Sequence, residues 1–438
     1  MKLEDFLNAS PVNFLAVATV KQRLLEAGYE EWGAGARCPK IKSGSKVFVT
    51  KNDSSIFAFH IGKASMAERG MHIVAAHADS PTFRVKPNAV IRCEGGTVKL
   101  NTETYGGAVL STWMDRPLSL AGRVVLKSRN GDITAPEVRL LRIEQPILTI
   151  PNLAIHFNRA VNDGVSLSKQ KDMLPILDAG ICDEQLTEAE KEHGVLMALV
   201  ANELDVPAED ILDFDLYLYD TTPAQRIGLH GTLIQSGRLD DLSMVHAGME
   251  ALLEESATPE VTKCLAIFDN EETGSQTKQG AGSPFFSSLV KRLLLQQNEA
   301  GNSSIEAFSR CVEHSFLISA DNAHAWHPNY NEKYDPTNHA VMGGGPVIKY
   351  NASQKYLSDA VGAAVFKQIC REAGVPCQTF VNHSDVAGGS TLGNILSSSF
   401  PVRGVDMGNP IWAMHSARET ANLKDHEYCI KAFARFFS

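Results

Sequence analysis

His77 and Asp79 directly follow a short apolar run, Ile73-Val74-Ala75-Ala76. Asp240 follows Arg238-Leu239, Glu271 and Glu272 follow an apolar run ending at Phe268, Asp321 follows Leu317-Ile318-Ser319-Ala320, and His415 comes shortly after Val405. In open α/β sheets, sites collect at the carboxyl ends of the strands, so these side chains are candidates for one shared site. Imidazole nitrogen and carboxylate oxygen are donors that zinc accepts, and a catalytic ion keeps one position open for water. Two such ions, about 3.5–4 Å apart, need a shared carboxylate and can clamp an attacking water-derived oxygen. Two histidines and three carboxylates are enough for the pair. A further carboxylate outside the ligand set can take the proton from water. In His77-Ala78-Asp79, the carboxylate two residues on can hold the second imidazole nitrogen and fix its tautomer.

Taken singly, each element has a plainer reading. A lone His-x-Asp is usually a polar pair in a turn. Adjacent Glu271-Glu272 suits a solvated charge run or a helix start, where the helix dipole favours anions. Asp240-Asp241 would cap a helix beginning at Leu242. His324 and His327, in Asp321-Asn322-Ala323-His324-Ala325-Trp326-His327, have the look of a metal cluster, but loop histidines are usually only hydrogen-bonded. The coincidence of five or six ligand-type residues at strand ends reverses the balance.

The elements that must position these groups change texture along the chain. Ser10 as cap, Pro11 at the first helical position, and Phe14, Val17, Val20 and Leu24 at helical spacing predict a first helix. Short strands are expected at 46–50, 55–61 and 73–76, the last a continuous apolar run that fits burial on both faces. From about 93 to 235, alternating segments at 97–100, 123–127, 137–143 and 215–219 predict a β-rich region, interrupted by a helix near 188–202. Beyond about 239, helices near 242–255, 286–297, 354–373 and 420–437 alternate with strands at 264–268, 316–318, 379–381 and 402–405. Strand and helix alternation of this kind makes a twisted sheet covered on both faces.

The 438 residues are too many for one ordinary core, and two domains are expected. Forty-four per cent hydrophobic and 21% charged residues is the mix of a globular chain that needs no disulfide staples. A net charge of -10 opposes a phosphate-backbone partner, so no nucleic acid is expected. No stretch reaches the roughly 20 apolar residues that cross a bilayer, and the start does not read as a signal peptide. Eight scattered cysteines without a C-x-x-C pair indicate reduced thiols and a cytoplasmic setting. The loop Val341-Met342-Gly343-Gly344-Gly345-Pro346 lacks the phosphate-cradling pattern.

Five segments together resemble the M18 family of metallo-aminopeptidases, the aspartyl aminopeptidase group. They are Ala76-His77-Ala78-Asp79-Ser80-Pro81, Ser236-Gly237-Arg238-Leu239-Asp240, Asp269-Asn270-Glu271-Glu272-Thr273-Gly274-Ser275, the run from Ser319 through His327 to Asn329, and Met414-His415-Ser416-Ala417-Arg418-Glu419. The likeness spans almost the whole chain in family order. It implies an α/β catalytic domain with a twisted mixed sheet flanked by helices, in segments 1–92 and 236–438. A β-rich dimerisation domain would be inserted at 93–235. It implies two zinc ions, with cobalt or manganese as substitutes. Asp240 would bridge them, His77 and Asp321 would complete one, and Glu272 and His415 the other. Glu271 would be the general base and Asp79 would orient His77. His156, from a neighbouring subunit, would help hold the oxyanion, and Lys349 and His324 would line the substrate pocket.

The resemblance further implies short peptides as substrates, release of N-terminal residues that include acidic ones, and a homo-oligomer, a tetrahedral dodecamer built from dimers. Three departures from the family pattern bear on substrate preference. Asp241 stands where Asn is expected, no arginine precedes Asp385 in His383-Ser384-Asp385-Val386, and Gln225-Arg226-Ile227-Gly228-Leu229 matches imperfectly. Rival readings are a deacylase or carboxypeptidase on the same scaffold, or a silent metal-binding oligomer.

Overall fold

The apolar run before His77 extends to Met71–His77 and is the middle strand of a nine-stranded sheet. This computed structural model describes residues 1–254, 257–297 and 304–438. In order across the sheet, the strands are Glu30–Glu31, Lys46–Lys51, Ser55–His60, Thr262–Phe268, Met71–His77, Phe316–Ala320, Arg403–Gly408, Val347–Tyr350 and Gln378–Val381. The four from 262–268 to 403–408 are parallel to one another. The strands on either side of them, 55–60 and 347–350, are antiparallel to their neighbours in that set. Phe268 pairs with His77 and Ser319 with Ala75, so 262–268, 71–77 and 316–320 end at one edge.

The middle strands read as continuous apolar runs because each face meets its own core. Ile73 and Ala75 join Phe57, Phe59, Ala266 and Phe286 on one side. Val74 and Ala76 join Ala58, Leu265, Ile318 and Val405 on the other. Helices Phe285–Gln297 and Leu392–Ser399 contribute to the first core, and helices Asn13–Glu26, Leu239–Glu254, Ala360–Ala373 and Leu423–Phe437 to the second. Each fully buried Val or Ile adds about 1.5–3 kcal/mol, so the sheet that carries the strand ends is among the best-buried parts of the chain.

Several local expectations shift. The chain opens with two helices: Leu3–Ala9 closes at Ser10, and the second starts at Asn13, leaving Pro11 between them. No side chain caps the second helix, whose cap position is Val12; Asn13, its first residue, accepts the Phe14 N–H through Oδ1 at 2.9 Å and donates to Asp269 through Nδ2 at 2.9 Å. Phe14, Val17, Val20 and Leu24 are buried, as their spacing predicts. The helix expected at 188–202 divides at Gly194, whose φ of 84° interrupts it, into Glu188–His193 and Val195–Leu204. The one expected from 354 begins at Ala360, where Asp359 accepts the Gly362 N–H. The last begins at Leu423, since Glu419–Asn422 pairs as a strand. The expected end of the 242–255 helix, Glu255, lies outside the described residues. Helices Ser304–His314 and Leu392–Ser399 were not expected.

The chain divides into two units. The first comprises Met1–Asp79, Ala224–Met414 and Glu419–Ser438, and the second Ser80–Pro223 with His415–Arg418. The β-rich insertion therefore starts earlier than 93 and closes earlier than 235. Strand Thr82–Arg92 pairs with Val98–Tyr105 inside the second unit's sheet, whereas Leu233–Ser236 pairs with Glu419–Asn422 inside the first. The second unit holds a six-stranded antiparallel sheet, in the order 137–142, 118–126, 211–220, 82–92, 98–105 and 176–178. Phe83, Leu100, Trp113, Leu120, Val124 and Leu216 form part of its core. All eight cysteines are free thiols. Among the described residues, no helix is long and apolar enough to cross a membrane.

His72, on the middle strand, stacks on Phe436 with ring centroids 4.6 Å apart. Burial, aided by the charges of Lys263, Arg69 and Arg435 and only partly opposed by the Phe436 backbone, lowers its pKa to about 4. The unfolded chain binds this proton from about 6.5 downward. The stability that His72 contributes as a neutral ring is therefore complete above about 6.5 and is lost as pH falls towards 4. His72→Phe should flatten the acid limb of thermal unfolding between those limits, by an amount on the order of 3 kcal/mol. An acid limb unchanged from that of the unsubstituted chain would refute this.

Candidate metal centre

The three strands that end together deliver the first groups. His77 is the last residue of its strand and 1% exposed. Asp79 lies two residues on and is 2% exposed. After Phe268 the chain turns through Asn270, held at φ 60°, into a short helical turn, Glu271–Thr273. Asp321 follows Phe316–Ala320, and its N–H donates to the Met407 carbonyl at 2.9 Å. A different route brings Asp240. It stands at the start of Leu239–Glu254, just after strand Leu233–Ser236 of a five-stranded sheet in the same unit.

These segments place donors together. Atoms offered by His77, Asp240, Asp241 and Asp321 all lie within 4.8 Å of one another, and the same holds for His77, Glu271 and Glu272. His77 Nε2 is 3.7 Å from Asp240 Oδ1. The four residues of the first group are buried, while Glu271 and Glu272 are half-buried. One imidazole among several carboxylates is a donor set that suits zinc and the harder divalent ions. The residues present therefore fit a metal centre.

Each donor segment is also gripped by a neighbour. The Asp79 carboxylate accepts the N–H groups of Glu271 and Glu272, both at 3.1 Å. His77 Nδ1 lies 3.0 Å from the Asp79 carbonyl oxygen and 3.4 Å from its Oδ1. The His77 N–H donates to Asp241 Oδ2 at 3.1 Å. Asn322 Nδ2 donates to the Leu239 carbonyl at 2.7 Å, and the Asp240 N–H donates to Glu419 Oε2 at 3.0 Å. Arg238 Nε donates to the Ser10 carbonyl, tying the Asp240 segment to the end of the first helix. Gly408 permits one close approach: a Cβ there would lie 1.9 Å from the Asp321 carbonyl oxygen.

Burial of so many carboxylates distorts their acidity. Glu271 is pushed up to about 8 by burial, with His77 pulling back and the charges of Asp321, Asp79 and Asp240 adding to the rise. Asp241 and Asp321 are raised by burial as well, against the pull of His77 on the first and of Lys349 on the second. Burial draws the His77 imidazole down, but the surrounding carboxylates, led by Asp241, outweigh it and hold the ring well above its usual value.

Lys349 is 3% exposed. Its Nζ donates to the carbonyls of Asp321 at 2.8 Å and Asn322 at 3.2 Å, and lies 3.5 Å from Asp321 Oδ1. Burial works against this charge, but Asp321, Tyr356 and Asp406 more than restore it and raise its pKa to about 12. His324 is exposed, with its ring 6.0 Å from that of Phe380. His156 and His415 belong to the second unit. His156 is exposed there, and His415, at φ 67°, has Nδ1 3.1 Å from the Gly107 carbonyl oxygen. Sequence reasoning did not foresee Glu419 or Asn322 as holders of the Asp240 segment. The only signal was their place inside the two motifs that also hold His415 and Asp321.

A family model described as Aminopeptidase I zinc metalloprotease (M18) matches residues 6–437. A Clostridium novyi protein described as a probable M18 family aminopeptidase 2 is 46% identical over 439 residues, covering 100% of this chain and 98% of that protein. Among solved structures, one described as the Ape4 and Nbr1 complex superposes with a TM-score of 0.94 at 35% identity, covering 99% of this chain and 84% of that one. Another, described as the S. cerevesiae mApe1 dodecamer, has a TM-score of 0.85 at 24% identity, covering 99% and 95%, and at that identity shows the fold alone.

If the Lys349 ammonium holds Asp321, Lys349→Met leaves a buried carboxylate without its cation. The metal-free variant should lose roughly 3–5 kcal/mol of stability, part of it recovered on adding a divalent ion. Denaturant unfolding with and without metal measures both, and an unchanged midpoint would refute the role.

Proposed function

The chain belongs to the M18 family of zinc aminopeptidases, and from that premise we propose that it releases N-terminal residues from short peptides at a two-metal site. The observation that carries this reading is the clustering of donors beside His77: Asp240, Asp241 and Asp321 in one group, Glu271 and Glu272 in another. In the proposed assignment Asp240 would be shared by the ions, His77 and Asp321 would hold one, and Glu272 and His415 the other. His415 is assigned here on the sequence resemblance. Bound there, zinc or a related ion such as cobalt or manganese would polarise the scissile carbonyl and acidify a water molecule.

This chain's own residues then have distinct tasks. Glu271 takes the proton from the attacking water and returns it to the leaving amide nitrogen, so one carboxylate serves both halves of the reaction. A carboxyl raised towards neutrality by burial is suited to that double duty. Asp79 fixes the geometry twice, at the His77 ring and at the backbone of the Glu271–Glu272 turn. Lys349 draws Asp321 back towards its charged form and holds it in place, and with His324 it is assigned to the substrate pocket on the resemblance. His156, presented by a neighbouring copy in a homo-oligomer, would steady the oxyanion. A dodecamer of dimers and an acidic first residue in the substrate complete the proposal, together with a cytoplasmic setting.

Glu271→Gln should keep its metal, measured by elemental analysis, and lose about 10²–10⁴-fold in turnover of a small peptide panel. Near-normal turnover with full metal content would remove Glu271 from the role of base. Peptides with an acetylated N-terminus should resist the unsubstituted enzyme. Preferential cleavage of the blocked forms would establish a deacylase in place of an aminopeptidase.

A further inference from the structure

Asp241 is the carboxylate that the reaction outlined above leaves unused. It is 0% exposed. One oxygen, Oδ2, accepts the His77 N–H at 3.1 Å, while Oδ1 is buried with no hydrogen-bond partner. A carboxylate with an empty acceptor in a protein interior is costly unless a cation or proton meets it. No lysine or arginine lies near enough to form an ion pair with it among the described residues, and the Lys349 ammonium is directed at Asp321. A donor oxygen of Asp241 does lie within 4.8 Å of donor atoms from His77, Asp240 and Asp321.

We propose that Asp241 contributes a fourth donor to the ion held by His77, Asp240 and Asp321, and that this set of one nitrogen and three carboxylates selects a hard divalent ion, manganese, over zinc at that position. The inference rests on the two-metal reading. Its physical basis is donor hardness. Zinc is satisfied by four donors, prefers nitrogen and sulfur, and settles into a tetrahedral shell. Carboxylate-rich shells with room for further oxygen ligands suit magnesium, calcium and manganese. A third carboxylate therefore strengthens the hold on manganese more than on zinc. Asp241 is not grouped with Glu272, and the position that Glu272 would serve stays the zinc position.

Asp241→Asn separates the two things this side chain does. The amide oxygen can still accept the His77 N–H, but the negative charge is gone. Metal-free full-length protein is dialysed against equal concentrations of Mn²⁺ and Zn²⁺, and the bound ions are counted by elemental analysis. The unsubstituted protein should retain both ions together, and the variant's bound Mn:Zn ratio should fall about tenfold or more. An unchanged ratio in a folded variant overturns the assignment. Should the variant fail to fold, manganese-edge X-ray absorption on unsubstituted protein loaded with one equivalent of each ion decides. A shell of more than four mostly oxygen donors supports the assignment, and a four-donor shell overturns it. Peptide release is assayed on the same unsubstituted samples. Hydrolysis with an unchanged variant ratio removes only the fourth donor, whereas absence of hydrolysis with either metal removes the aminopeptidase reading itself.

Discussion

Several carboxylates crowded into one buried place repel each other, and each loses its hydration. That cost governs the site. Asp240, Asp241 and Asp321 are all buried, with Glu271 and Glu272 half-buried beside them. Protein cations answer only part of this charge: the His77 ring and the Lys349 ammonium. A protein interior tolerates such a cluster only when it is paired, hydrogen-bonded or bound to metal. The charge imbalance is one that a bound cation would relieve. It also accounts for the shared direction of the carboxyl shifts, all upward and all led by burial.

Repulsion alone would splay these groups apart, and hydrogen bonds to the backbone prevent it. Asp79 grips the Glu271–Glu272 turn, Asp241 grips His77, Asn322 grips Leu239, Glu419 grips Asp240 and Lys349 grips Asp321. Most of these braces come from a residue adjacent to, or itself among, the donors. No donor segment is therefore positioned independently. Charge-assisted hydrogen bonds of this kind are stronger than neutral ones, and in a network their removal is not additive. Preorganisation of the centre is then a property of the set, and the sheet supplies the common edge from which three of its members depart.

The strands and the donors that follow them were legible because chemistry and hydrophobicity sit side by side in the chain. Ile73 to Ala76 running into His77, and Leu317 to Ala320 running into Asp321, show both at once. What could not be read depends on contacts between distant segments. Glu419 meets Asp240 from 179 residues away, and Lys349 meets Asp321 from 28. Capping near the N-terminus misled because Ser10 and Pro11 form a plausible start. The second helix starts instead at Asn13, whose side chain is held by a tertiary partner, Asp269. The unit boundaries differ from the expected 93 and 235 for a similar reason: 82–92 belongs where its pairing with 98–105 puts it, and 233–236 where its pairing with 419–422 does. Membership of His415 in the second unit has no local signature at all.

Gly408 shows how a residue without functional groups can be part of such a centre. Its missing side chain is the space into which the Asp321 carbonyl projects. The same carbonyl receives the Lys349 ammonium, so the methyl group of an alanine would strike the bond that steadies a proposed ligand. A survey of this chain by polar or acidic positions would pass over residue 408 and record its alanine variant as a fold defect. The same clash would also reach the proposed centre, which then has a silent steric component beside its charged one.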